Sequence, residues 1–288
     1  EIRDTHDYYV SRWQRTWDEG DIDMKFVMGD PWDPDEKRAR KELKRPCLSF
    51  DELSQYLNQV QNEYRQNPRG IKIIPGGKNA TDKTSELRAN IIRGIESKSN
   101  AKTAYVTALD SASMRGYGYF RIGTRYIDQE GNQEIFIGRI ANPKAIILDP
   151  DAQEIDCSDG RRAFVNTLVP RSQFKERFPK AKILDFNSTL FTQGRTSWVK
   201  GEHVQVSEYW KVNLTKGKYM DERTVKQYIT NGAEILEEND WPGKWIPIIP
   251  VFGKEVYYDY GAGEERVLLS MVRLARDPYR AYCYTRTT

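Results

Sequence analysis

Five carboxylates fall within eleven positions near the middle of this chain: Asp149, Asp151, Glu154, Asp156 and Asp159, with Pro150 between the first two. Hard divalent cations take oxygen ligands, so such a group could hold Mg²⁺ or Ca²⁺. A pair of metals there would make a nuclease. The string lacks the twelve-residue calcium loop with its central Gly and terminal Glu, and no basic partner stands out beside it. Asp-Pro-Asp is also ordinary turn chemistry, because an Asp side chain bonds backbone N–H groups just ahead of it. A structural loop is the expected role, with no metal site. A metal-dependent nuclease or nucleic-acid processing protein using Asp149 to Asp159 is kept as the alternative.

Other chemistry is sparse. The two histidines, His6 and His203, sit in polar surroundings, and no Ser or Cys lies in a nucleophile-elbow context. Neither a phosphate-binding P-loop nor a dinucleotide fingerprint is present. Gly116-Tyr117-Gly118 and Gly261-Ala262-Gly263 read as turns. No catalytic or cofactor-binding residue is therefore expected, and no cofactor. The basic run Lys37, Arg38, Arg40, Lys41, Lys44 and Arg45 could face phosphates or a partner. Asp35, Glu36 and Glu42 are interspersed, which favours a solvated helix face. Trp13/Trp17, Tyr117/Tyr119/Phe120 and Tyr209/Trp210 could stack on bases. They fall on amphipathic stretches with few basic neighbours, so core or interface packing is expected.

Composition narrows the classes further. Charged residues make up 30% of the 288 and hydrophobic ones 38%, which reads as a soluble, polar chain. No apolar run approaches the roughly 20 residues that cross a bilayer. Thirty-four aromatics (7 Trp, 17 Tyr, 10 Phe) argue for a folded protein rather than a disordered one. A net charge of +3 is too small for a surface that grips nucleic acid everywhere, so any DNA contact should be local. Three widely spaced cysteines, Cys47, Cys157 and Cys283, form no CxxC pair and suit a reducing compartment. Glycosylation-like triplets at Asn79, Asn187 and Asn213 read as chance.

The elements that must position these residues follow from periodicity. Tyr9, Trp13 and Trp17 predict a helix over 4–19, stopped by Gly20. Ser49 and Glu52 form a capping-box pattern ahead of a helical stripe of Leu53, Tyr56, Leu57, Val60 and Tyr64. Ile71 to Ile74 reads as a short strand. Helix returns from Thr84 to Arg115 with two stripes, Leu87/Ile91/Ile95 and then Ala101/Ala104/Tyr105/Ala108, the second small enough for close backbone approach. Beyond Gly116 the pattern alternates: 117–126 and 134–140 as a hairpin, then strands at 144–149, 162–169 and 204–212. A short helix at 171–178 interrupts them. Asn231-Gly232 marks another hairpin. The fold class is α+β, N-terminal helices followed by an antiparallel β meander. A helix-like segment opens at Met271, and more protein is expected beyond Thr288 as well as a few residues before Glu1.

Several strings carry a family resemblance. They begin with Gly29-Asp30-Pro31-Trp32, Arg45-Pro46-Cys47-Leu48-Ser49-Phe50 and Asn100-Ala101-Lys102-Thr103-Ala104-Tyr105. Gly116-Tyr117-Gly118-Tyr119-Phe120-Arg121, Arg139-Ile140-Ala141-Asn142-Pro143 and Asp149-Pro150-Asp151-Ala152 follow. Val206-Ser207-Glu208-Tyr209-Trp210 and Asp277-Pro278-Tyr279-Arg280 complete the series. In this order and spacing, from about Gly29 onward, the chain resembles the portal (head-to-tail connector) proteins of short-tailed bacteriophages of the type that infects Salmonella. The resemblance implies a homo-oligomeric, dodecameric ring at one capsid vertex of the virion, assembled in the host cytoplasm. Its implied partners are the major capsid and scaffolding proteins, the terminase large subunit, tail adaptor proteins and double-stranded DNA passing through the ring, with no membrane. It also implies a portal wing: a helical part over 1–116, a β-rich part over 117–265, and the approach to the stem over 266–288, truncated before the stem and clip helices.

Overall fold

A computed structural model describes residues 1–287 except 69, 78–80, 184–197, 218–220, 260 and 262. The triplets at Asn79 and Asn187 lie outside the described residues. Five helices come first: α1 (Ile2–Val27), α2 (Pro34–Glu42), α3 (Leu53–Gln66), α4 (Asp82–Ser99) and α5 (Ala101–Arg115). Strands β1 (Tyr117–Tyr126), β2 (Gln133–Arg139), β3 (Ile146–Leu148) and β4 (Arg162–Pro170) follow, then α6 (Arg171–Arg177). After it come β5 (Val199–Lys200), β6 (His203–Thr215), β7 (Glu222–Thr230), β8 (Ile235–Trp241), β9 (Ile248–Phe252), β10 (Lys254–Asp259) and β11 (Glu264–Leu269). Helix α7 (Arg276–Thr287) ends the described chain. All paired strands are antiparallel, and the class is α+β. Two compact units share these elements: Glu1–Arg15 with Asn142–Pro247, and Thr16–Ala141 with Ile248–Thr288.

The first unit is a sheet in the order β3-β4-β6-β7-β8, with β5 added to β6. Its register places Phe164, Tyr209 and Tyr228 directly across from one another. Their rings follow at 4.9 Å and 5.9 Å, a cross-strand ladder in which each aromatic pair adds about 0.5–1.5 kcal/mol beyond area burial. The beginning of α1 packs against Phe164 through the edges of His6 and Tyr9. Trp13 fixes that helix by donating its indole N–H to the Leu148 carbonyl at 2.9 Å. His6 is buried, with the Phe164 and Trp198 rings beside it and polar partners around it, its Nε2 lying 3.2 Å from the Asn166 carboxamide. The β7–β8 turn spans four residues, because the Asn231 carboxamide accepts the N–H groups of Ala233 and Glu234 and widens the Asn-Gly corner.

The second unit holds the sheet β2-β1-β9 and the ribbon β10-β11. Helix α1 does not stop at Gly20 but continues to Val27. The glycine serves close contact instead: a Cβ there would sit 3.1 Å from the Tyr117 ring and 3.2 Å from the Arg115 carbonyl. The second stripe of the long helical region behaves as its small residues imply, with Ala101, Ala104, Ala108 and Ala112 all buried. Gly118 lies in β1 rather than in a turn, and a Cβ on it would meet the Ala108 carbonyl at 2.0 Å. Asn100, left-handed at φ 49°, splits that region into α4 and α5. The core gathers Phe26, Leu57, Val272, Tyr279 and Cys283.

Two further local expectations fail for identifiable reasons. Asp51, not Ser49, holds the start of α3: the Ser54 hydroxyl, and then the Ser54 N–H at 3.0 Å, bond its carboxylate and keep the acid below the usual carboxylate range. Ile71 to Ile74 forms no strand, since none of the described strands pairs with it, and Ile71 and Ile74 are 50% and 72% exposed.

Candidate functional site

The acidic string lies in the loop between β3 and β4, where three of its five carboxylates are occupied by backbone donors. Asp149 accepts the N–H groups of Asp151 at 3.2 Å and Arg161 at 2.9 Å. Asp159 accepts those of Gln153 at 2.6 Å and Glu154 at 3.3 Å. Asp156 accepts the Ser158 N–H at 2.9 Å, and this bond with the Ser158 hydroxyl holds its carboxyl below the usual range. The loop tightens further at Cys157, left-handed at φ 52°, whose carbonyl takes the Gly160 N–H. Each acid therefore closes a turn on its own backbone.

Contrary to the sequence reading, basic side chains do stand beside this loop. Arg161 and Arg162 line a shallow hollow of about 390 Å³ together with Tyr9, Asp149, Asp151 and Asp159. Burial, then the Asp149 charge, raises the Tyr9 phenol far above the ordinary tyrosine range, so Tyr9 stays a neutral donor to that carboxylate. Among the described residues no three His, Cys, Asp or Glu side chains are grouped as a metal ion would need.

The basic run sits on and just after α2, a nine-residue helix with no buried side chain. It starts with Pro34 at its first turn and ends at Glu42. Half of the run is consumed locally. Lys37 pairs with Asp30 at 2.5 Å and Arg38 pairs with Asp35 one turn earlier. Arg40 lies 4.5 Å over the Trp32 ring, and its other side reaches the Pro46 carbonyl. Trp32 in turn stacks on Tyr284 of α7 at 4.3 Å, which pins the helix to the unit. Lys41, Lys44 and Arg45 are exposed and make no salt bridge among the described residues. Of the aromatic candidates for base stacking, Trp13, Tyr117, Tyr119, Tyr209 and Trp210 are buried, whereas Trp17 and Phe120 are half-buried.

A model of the family "Phage P22-like portal protein" matches residues 3–288. The chain belongs to the P22-like portal protein family. A curated relative named "Portal protein", from Acyrthosiphon pisum secondary endosymbiont phage 1, is 25% identical over 264 residues. That alignment covers 75% of this chain and 36% of the relative, so the chain spans about a third of the relative's length.

For a portal chain the informative residues are those that set element geometry, and the sequence reading missed the strongest set. Asp23 of α1 is fully buried and receives Arg273 at 2.9 Å and Arg276 at 2.6 Å. Glu19, one turn earlier, takes the second arm of Arg276 at 2.8 Å and approaches Arg273 at 3.3 Å. Two acids four residues apart thus clamp two arginines three residues apart, just where the portal chain enters α7. The complementary spacing is visible in the sequence, but nothing in it says that positions 250 apart meet.

Proposed function

We propose that this chain is a structural portal subunit rather than an enzyme, one of twelve in a ring at a capsid vertex of the virion. The ring would be the conduit for viral DNA packaging and ejection, and the docking platform for the terminase large subunit, tail adaptors, and major capsid and scaffolding proteins. Assembly would take place in the host cytoplasm. The observation that carries this reading is the family match over residues 3–288. The loop geometry agrees with it, since Asp149, Asp156 and Asp159 of the acidic string accept backbone N–H groups of their own loop. No helix among the described residues is long and apolar enough to cross a membrane.

Within that ring, residues 1–116 would be the helical part of the wing, 117–265 its β-rich part, and 266–288 the approach to the stem. Lys41, Lys44 and Arg45, the outward half of the basic run that begins with Lys37, Arg38 and Arg40, would make transient phosphate or partner contacts. Negative-stain electron microscopy of the full polypeptide that carries this chain tests the ring. Closed rings of about twelve subunits with a central channel are expected, as heterologous contacts that close by rotation require. A purely monomeric intact protein would overturn the reading.

A further inference from the structure

One side of the second unit is unfinished. Helix α4 has 18 residues, of which only Ser85 is buried. Its outward Leu87 and Ile91, one turn apart, are 61% and 54% exposed. A helix of this length is marginal alone and draws its stability from packing an apolar stripe. Beside it, Ile71, Ile92, Ile95, Ile135, Ile137 and Phe120 line an apolar hollow of about 320 Å³. The β-branched Ile71–Ile74 segment borders this hollow, with strand-forming residue types and no strand to join. The charges around these residues are mostly positive. Lys72, Lys83 and Arg88 are exposed and form no salt bridge among the described residues, and they outnumber Asp82 and Glu86.

The same chain carries a surface of the opposite kind. Among the described residues strand β8 pairs with β7 alone. It exposes Ile235 and carries Glu237, Glu238 and Asp240, three acids served by two cations, Arg177 and Lys226. Charges on an edge strand block promiscuous pairing. They become a means of selection when the incoming segment carries the opposite sign.

The geometry points to a contact between copies in which Ile71–Ile74 and the outer face of α4 of one chain cover the β8 edge of the next. The occupant is a second copy because both complementary surfaces belong to one sequence, so a row of copies satisfies both at once. Such a contact is heterologous, the type from which rings are built. Main-chain bonds to an exposed strand edge supply affinity, and Lys72 and Arg88 against Glu238 and Asp240 set register and partner. The inference rests on the ring proposed above and assigns it one interface.

The test uses the full polypeptide, with oligomer mass read by native mass spectrometry over a dilution series. Lys72→Glu with Arg88→Glu should raise the half-assembly concentration roughly tenfold or more, as should Glu238→Lys with Asp240→Lys. All four substitutions together should return it close to the wild-type value. Circular dichroism melts of the dissociated variants check that each folds. As an independent readout, Ile74→Cys with Glu238→Cys should give a disulfide ladder of oligomers that neither single variant gives. Wild-type rings with unchanged midpoints in both double variants, and no ladder, overturn the contact and leave the ring reading intact. Weakening without mutual rescue, and no ladder, also overturns it, because the occupant is then something other than the β8 edge. A wild-type protein that forms no rings overturns the ring reading, and the contact with it.

Discussion

The loop 149–159 and the segment 37–45 are both dense in charge, and both look like sites when read as strings. In the structure they part. Three carboxylates of the acidic loop, Asp149, Asp156 and Asp159, accept backbone N–H groups, so their charge is spent on holding a turn. The basic segment has no backbone acceptors to close on beyond the Pro46 carbonyl, so Lys41, Lys44 and Arg45 remain outside. The asymmetry has a simple origin. A carboxylate is a short acceptor surrounded by N–H donors in any turn, whereas long lysine and arginine stems carry their donors past the local backbone. Clustered acids close to Pro and Gly therefore tend to fold a loop, while clustered bases on a short helix tend to face outward.

Acids that fold the chain should be costly to remove, and the buried clamp sets the upper bound. Asp23→Ala leaves Arg273 and Arg276 with one half-buried acidic partner, Glu19, and should destabilise by about 3–5 kcal/mol. Urea unfolding of the variant against wild type measures it. A loss under about 1 kcal/mol would mean that water replaces the carboxylate, and that burial is not what separates this acid from the exposed ones.

The acidic loop should come next. Asp149→Ala strands the N–H groups of Asp151 and Arg161 and the Tyr9 hydroxyl. Hydrogen bonds to a charged acceptor contribute about 1.5–3 kcal/mol each, and water can reach part of this hollow, so about 2–3 kcal/mol in total is expected. The acid limb carries the same sign. Asp156 is held below its ordinary range, so the stability it adds is present above the unfolded carboxyl value and lost as pH falls through the folded one. An Asp149→Ala chain as stable as wild type would erase the contrast between the two charged strings.

How much of this was legible depends on range. The alternation of β6 and the small-residue stripe of α5 are local signals, and both elements form where the pattern puts them. Gly20 misled because a helix stop and a close-packing glycine look alike until Tyr117 is known to lie against it. Ile71–Ile74 misled because strand propensity needs a neighbour, and the chain offers it none among the described strands. The acidic loop was readable as turn chemistry from Asp-Pro-Asp alone. Its neighbours Arg161 and Arg162 were adjacent in sequence and still overlooked, because their place in the hollow depends on how β4 leaves the loop. The Glu19/Asp23 and Arg273/Arg276 clamp was out of reach, being a contact between opposite ends of the chain.

The smallest effect should come from the basic segment, and that is what makes it diagnostic. Replacing Lys41, Lys44 and Arg45 together by Ala removes no packing and no ion pair among the described residues, so stability should stay within about 0.5 kcal/mol of wild type. Function is where a difference should appear. If these side chains meet phosphates, the slope of log affinity for duplex DNA against log salt should become shallower by about 0.9 for each phosphate they neutralise. An unchanged slope with unchanged stability would reduce the segment to a solvated helix end. A large loss of stability would break the comparison from the other side, by showing that these cations fold the chain as the acids of the β3–β4 loop do. Arg40→Ala is the internal control, since removing its stacking on Trp32 should cost about 0.5–1 kcal/mol of stability and leave the salt slope alone.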